Sequence, residues 1–334
     1  MIRRIKEYIK FLIFFKRYIS KILYGIDNIN SSLTIDRLDI RVDEKTPRLN
    51  CLKINKEPFL EGIGDHSWRG TIFDGRFINK NIIYYCAQQN YDPKSGLVIG
   101  RAEFNGNIYK HDDRPCIYKT EETYGIDIPT FFIYEGKTTC IYFDNFGPER
   151  INDNRNRNLV VCESNDGKHF TKRIIHSPLR KYVHKNVGLP FIENVEGELY
   201  ITVRARNIGR NIVSRSKFDI KTGKASEWKH IDLPHDPINV STLTLNKAIY
   251  LFHGTTIGSG FYLKTLDAKT FKTNSDFILV DPNHNPWRWD MRKICASPYI
   301  DGDRVMLSYS GYTNTNNLKI GLCTMDVKNL PILK

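Results

Sequence analysis

The chain has 334 residues, of which 40% are hydrophobic and 12% aromatic, enough for a large core and too many for global disorder. Its 22 glycines and 14 prolines are close to ordinary usage, which excludes collagen-like and low-complexity sequence. Basic residues exceed acidic ones by 13, a surplus that suits an anionic partner: nucleic acid, an acidic lipid face, or an acidic or phosphorylated substrate.

The first predicted element is MIRRIKEYIKFLIFFKRYISKILYG, which holds seven basic residues and a single acid, Glu7. Its longest apolar run, FLIFF, is short, and no small-residue cleavage site follows, so it makes a poor secretory signal. Charges interrupt it too often for a bilayer span. At about 100° per residue, Ile5, Tyr8, Ile9, Leu12, Phe15, Ile19 and Leu23 share one face, and Arg3, Lys6, Lys10, Arg17 and Lys21 share the other. The pattern predicts a basic amphipathic α-helix over residues 1–25 that lies on an anionic membrane surface. Docking on the domain or on a partner, and a cryptic targeting signal, are the alternatives. Gly25 and the polar IDNINSSLT end the helix and open a linker over 26–47.

From residue 71 the helical period is replaced by a repeat: an apolar strand, a short turn, a second apolar strand, a polar loop and a third strand. The first two strands of each unit are read at 71–87, 128–143, 187–203, 240–254 and 294–311, with starts 57, 59, 53 and 54 residues apart. Third strands follow as GLVIGRAEF, RNLVVCES, RNIVSRSKF, GFYLKTL and LKIGLCTM. A β-unit recurring at this spacing predicts a five-bladed β-propeller over 48–334, all-β apart from the N-terminal helix. A two-sheet sandwich is the alternative, but it requires no regular spacing. The fifth unit ends near Asp326 with three strands, so RLNCLKIN (48–55) is expected to supply its fourth and remove an exposed edge. The seven cysteines are widely spaced, with no C-x-x-C, and four fall in apolar runs (Cys86, Cys140, Cys162 and Cys323). They read as buried thiols of a reducing compartment, not as a disulfide frame or a zinc site.

In the second unit, the third strand runs into Ser164-Asn165-Asp166-Gly167-Lys168-His169-Phe170. This S-x-D-G-x-x-aromatic turn resembles one found in the five-bladed propeller glycosidases: the arabinanase/xylosidase and invertase/levansucrase groups and the related mannoside phosphorylases. The resemblance covers roughly residues 60–327 in architecture. It implies catalytic acids on innermost strands: an Asp from blade one, an Asp from blade two and a Glu from blade three. Asp74 in FDGRF and Asp127 in IDIPTFF are the matching acids, read as aligned by repeat and expected within about 10 Å of each other, the range of paired glycosidase carboxylates. Each could instead cap a turn. Blade three has Gly188 where the resemblance implies Glu, so Glu149 and Asp290 are carried as substitute proton donors.

Arginines gather on loops expected to face the centre: Arg150, Arg155 and Arg157 in blade two, and Arg204, Arg206 and Arg210 in blade three. Arginine binds carboxylate and phosphate in bidentate fashion, which suits an anionic substrate; inter-blade ion pairs are the alternative. Arg204 and Arg206 alternate with Val203 and Ala205, so both are expected on one side of a strand. Trp287, Arg288 and Trp289 before blade five, and Trp68 with Arg69 before blade one, are candidate sugar platforms, with core packing as the competing role of the tryptophans. The histidines show no metal spacing, and no P-loop, G-x-G-x-x-G or G-x-S-x-G occurs.

These readings combine into a carbohydrate-active enzyme that cleaves or transfers a glycosidic bond of an anionic glycan in a central funnel. Asp74 is expected as base or nucleophile and Asp127 as the residue that orients substrate. No metal and no cofactor is expected. A membrane-associated glycosyltransferase or phosphorylase-like enzyme of surface-polysaccharide biosynthesis is the first alternative, and a non-catalytic glycan-binding propeller the second. Expected partners are a glycan or nucleotide sugar and, through residues 1–25, an anionic membrane surface; nucleic acid is not expected. The expected location is the cytoplasm, peripheral on the inner membrane surface.

Overall fold

The computed structural model describes residues 47–54, 57–62, 68–88, 97–118, 125–145, 159–175, 187–207, 210–233, 237–255, 261–280, 292–312 and 318–332. The predicted helix over 1–25 and the linker up to residue 46 lie outside the described residues.

Two short strands come first, β1 (Arg48–Asn50) and β2 (Leu52–Lys53). Blade one contains β3 (Thr71–Asn79), β4 (Ile82–Gln88), β5 (Val98–Phe104) and β6 (Tyr109–His111). Blade two contains β7 (Gly125–Tyr134), β8 (Lys137–Asn145), β9 (Leu159–Ser164) and β10 (Thr171–Ile175). Blade three contains β11 (Val187–Val195), β12 (Glu198–Asn207), β13 (Arg210–Asp219), β14 (Lys224–Ala225) and β15 (Lys229–Leu233). Blade four contains β16 (Pro237–Leu245), β17 (Ala248–Thr255), β18 (Phe261–Asp267) and β19 (Thr273–Val280). Blade five contains β20 (Arg292–Asp301), β21 (Arg304–Tyr312) and β22 (Lys319–Asp326). The repeat is thus a five-bladed propeller, with the first strand of each unit nearest the axis.

Closure differs in detail from the expectation. β2 pairs antiparallel with β22 and gives blade five its fourth strand, through Leu52 opposite Thr324 and Lys53 opposite Cys323. β1, however, pairs parallel with β19 of blade four. The segment 48–53 therefore spans two blades, because the chain runs across the edge of one before entering the next.

Period-two alternation explains how the blades stack. In blade two, Tyr142, Val160 and Cys162 pack toward blade one with Tyr84, Ile99 and Ile117. Their strand neighbours Ile141, Leu159 and Val161 pack toward blade three with Ile192, Ile201 and Val203. The middle strands β8 and β9 bury both faces, so their sequences read as apolar runs, whereas the outer strand β10 is exposed. The cysteines expected in those runs, Cys86, Cys140, Cys162 and Cys323, are buried thiols. Burial pushes the Cys140 thiol well above its ordinary pKa, which keeps it unreactive. At Gly100 a Cβ would come within 2.4 Å of the Tyr85 ring, so only glycine leaves room for that ring between β4 and β5.

Candidate active site at the axial bulges

The innermost strand of every blade carries an extra residue at the same place. Register shifts fall between Phe73 and Arg76, Asp127 and Thr130, Gly188 and Phe191, Pro237 and Val240, and Ile294 and Ser297. A bulge of this kind bends the strand and re-aims a side chain, which is why bulges recur beside active sites. The third bulge residue also joins blades. Thr130 Oγ1 donates to the Pro190 carbonyl at 2.7 Å, Ser241 Oγ to Ala296 at 2.5 Å, and Ser308 Oγ to Gly75 at 2.6 Å.

This register corrects the alignment of the two aspartates. Asp127 holds the first bulge position, with Phe73, Gly188, Pro237 and Ile294; Asp74 holds the second, with Ile128. They are one residue out of step, because the bulge adds a residue that no sequence periodicity reveals. The Asp127 side chain lies outside the described residues.

Asp74 is fully buried, and its backbone adopts φ 54, the left-handed region. A bulge position with positive φ favours glycine; aspartate is among the few other residues that tolerate it. Its amide donates to Ser310 Oγ of blade five at 2.7 Å. Its carboxylate pairs with Arg76 Nη2 at 3.2 Å. Arg76 is itself only 4% exposed and lies over the Phe191 ring, 5.2 Å from its centroid. Blades one and three are not neighbours in the ring, so this contact reaches from one innermost strand to another across the axis. Arg76 Nε and Nη1 have no hydrogen-bond partner among the described residues. Its D-x-R spacing beside Asp74 was the available signal.

Gly188 occupies the blade-three bulge directly opposite Arg204, which in turn pairs with Val213. The position where the resemblance implies a Glu is thus paired in register with residue 204, and the side chains of Arg204 and Arg206 lie outside the described residues. Arg206 lies two residues further along β12, opposite Asn211. Glu149, Arg150, Arg155, Arg157, Trp287, Arg288, Trp289 and Asp290 lie outside the described residues.

Trp68 and Arg69 do not join the axial group. Trp68 Nε1 donates to the Asp113 carbonyl at 3.1 Å, and its ring stacks on Tyr85 at 6.4 Å. Arg69 Nη1 donates to the Asp112 carbonyl at 3.2 Å and lies over the Trp68 ring. Both therefore fasten the loop after β6 to blade one, a structural task. In the same cluster the Tyr85 hydroxyl meets His111 Nδ1 at 2.7 Å. Burial, aided by the charge of Arg69, pushes the His111 imidazole down to about 4, and burial raises the Tyr85 hydroxyl. The tyrosine hydroxyl therefore shares a hydrogen bond with a neutral histidine. The Asp166 turn is likewise structural: Asp166 accepts from Ser164 Oγ, the amides of Lys168 and His169, and His169 Nδ1.

Among the described residues, no group of three or more His, Cys, Asp or Glu is placed to hold a metal ion. No helix there is long and apolar enough to cross a membrane.

No protein-family model matches the sequence, and no curated protein matches it. Solved structures do match the fold. The β-1,2-mannobiose phosphorylase from Listeria innocua, solved with β-1,2-mannobiose, is 13% identical with a TM-score of 0.57, over 84% of this chain and 98% of that one. A glycosyl hydrolase from Bacteroides ovatus is 14% identical with a TM-score of 0.59, over 83% and 94%. A family 117 glycoside hydrolase from Zobellia galactanivorans is 12% identical with a TM-score of 0.57, over 80% and 89%. At these identities the likeness is one of fold: the chain has the five-bladed propeller of glycoside hydrolases and a mannobiose phosphorylase.

Proposed function

We propose that the chain is a carbohydrate-active enzyme that breaks or transfers a glycosidic bond at the axial bulges, with Asp74 as its central carboxylate. One observation carries this reading. Asp74 is fully buried, held at a left-handed φ and paired with Arg76, two of whose nitrogens have no hydrogen-bond partner among the described residues. Strain of this kind costs of order 1–3 kcal/mol and clusters at functional sites. The fold shared with glycoside hydrolases supports the class of substrate.

In hydrolysis Asp74 serves as base or nucleophile, and Asp127 orients the sugar. Phosphorolysis is the second reading, and Gly188 opposite Arg204 favours it. There a phosphate oxygen forms the new bond to the anomeric carbon, the glycosidic C–O bond breaks, and the leaving oxygen takes a proton from one carboxylic acid. A second acid to activate water is then not needed, and arginine is a residue type that suits an oxyanion. Arg204 and Arg206 also suit an anionic glycan or a nucleotide sugar.

The test is turnover of oligosaccharides of mannose, arabinose and galacturonate, with and without orthophosphate. Asp74→Asn should lower the rate at least about 10²-fold, the usual scale for a lost acid or base. A sugar 1-phosphate formed only with orthophosphate identifies phosphorolysis; free sugar without it identifies hydrolysis. Ligand binding with no turnover under either condition would leave a glycan-binding propeller.

The amphipathic pattern of residues 1–25 supports a peripheral position on the inner membrane surface. The full chain, and not one lacking residues 1–25, should bind anionic vesicles, and rising salt should weaken that binding.

A further inference from the structure

At the rim, two strands out from the axis, blades one and two leave a cleft of about 980 Å3 that the axial chemistry does not use. Its walls are the end of β5, β6, the loop leaving blade one toward Tyr118, and the Asp166 turn of blade two. The walls are pre-set. The Lys172 ammonium donates to the Tyr118 carbonyl, the Tyr109 hydroxyl donates to the Lys80 carbonyl, and the Tyr84 hydroxyl donates to the Gly167 carbonyl at 2.7 Å.

The charges in this cleft are unevenly paired. Buried Arg101 takes Glu103 at 2.6 Å and Asp112 at 3.1 Å, while Asp166 is occupied by His169. Lys110, Arg114 and Lys168 line the same cleft with no ion pair within 4 Å among the described residues, although the charge of Lys168 is felt by Glu103, and Asp112 and Asp113 also line the cleft. Two aromatic faces stand open among them: Tyr118 is 50% exposed and Phe104 37%. Phe104 is steadied by Tyr109, 5.1 Å away. Pre-set rings offer stacking area at little entropic cost, and unpaired cations beside them select for negative charge.

We infer that this cleft is a second binding site, for an acidic polysaccharide chain. Tyr118 and Phe104 stack on sugar rings, and Lys110, Arg114 and Lys168 meet the carboxylates. A polymer held here raises the local concentration of its ends at the axis. The ligand class rests on the carbohydrate reading above; the cleft and its charges do not.

The experiment is affinity electrophoresis of the full-length Asp74→Asn chain through native gels containing polygalacturonate, with neutral dextran and a single-stranded DNA in parallel gels. Polygalacturonate should retard the protein and dextran should not. Tyr118→Ala, which leaves the charge unchanged, should weaken retardation at least fivefold at an unaltered melting temperature. Lys224→Ala with Lys328→Ala, exposed elsewhere, should change it less than twofold. Undiminished retardation of Tyr118→Ala, equal retardation by dextran, or tighter binding of the DNA would each overturn the site. The two readings fail separately: lost polymer binding with intact turnover of short substrates removes only the rim site, and absent turnover with intact polymer binding removes only the axial one.

Discussion

Blades one and three each bury an arginine against a carboxylate, Asp74–Arg76 at 3.2 Å and Glu193–Arg215 at 3.0 Å. Around Glu193 the polar groups are matched. It accepts from Thr242 Oγ1, from the Thr244 amide and from Thr244 Oγ1. Arg215 donates to Thr202, Thr242 and Thr244, and lies over the Tyr200 ring at 4.7 Å. Burial pulls the Arg215 guanidinium below its ordinary pKa, and Glu193 opposes that pull. In blade one the same chemistry is left open: the backbone at Asp74 is strained, and two nitrogens of Arg76 have no hydrogen-bond partner among the described residues. A saturated pair locks blades three and four together. The blade-one pair, beside a left-handed backbone, is the one the proposed site uses.

The largest effect that sharpens this contrast is expected at the saturated pair. Glu193→Ala leaves Arg215 buried and unpaired, which should cost about 3–5 kcal/mol of unfolding free energy in denaturant titration. Asp74-dependent turnover per folded molecule should be unchanged. A loss under about 1 kcal/mol would show that the two pairs do not differ as described.

A middling effect is expected at the blade one–blade two junction. Gly167 has φ 70, and a Cβ there would come within 2.7 Å of the Tyr84 hydroxyl. Gly167→Ala should therefore cost about 1–3 kcal/mol through strain and the disturbed Tyr84 contact. Gly136→Ala, at φ 77 with nothing near its Cβ, should cost less, and equal losses would show that the contact with Tyr84 is immaterial.

The smallest effect belongs to the Trp68 cluster and concerns pH. His111 has a folded value of about 4, below the ordinary value near 6.5, so the unfolded chain binds the proton more readily. Its contribution to stability is complete above pH 6.5 and is lost as pH falls toward 4. The partly exposed site limits this to about 1 kcal/mol in total. Comparing unfolding at pH 7 and pH 5 should show the loss in the native chain and a smaller one in His111→Gln.

The five blades were legible because their hairpins recur at 53–59 residues, and each is a run that must bury both faces. Edge closure was half legible: RLNCLKIN reads as a strand, but nothing in it tells which residues serve blade four and which blade five. The site was legible only as far as its residue types. A bulge is one extra residue, invisible to a period of two, so Asp74 and Asp127 read as equivalent when they are offset. Trp68 and Arg69 read as a sugar platform because their partners, the carbonyls of Asp112 and Asp113, are backbone atoms more than 40 residues away. Glu193 carried no signal in the sequence, since its partners Thr242 and Thr244 belong to the next blade.

The most direct measurement removes each ion pair as a unit and compares unfolding free energies. In Asp74→Asn with Arg76→Met, asparagine suits the left-handed backbone and the methionine needs no partner. This variant should be as stable as the native chain or up to about 2 kcal/mol more stable, while turnover is lost. Glu193→Met with Arg215→Met strands the Thr244 amide and the threonine hydroxyls without acceptors, and should lose about 2–4 kcal/mol. A blade-one double variant that loses as much stability as the blade-three one would contradict the account, because Asp74 would then be a structural residue.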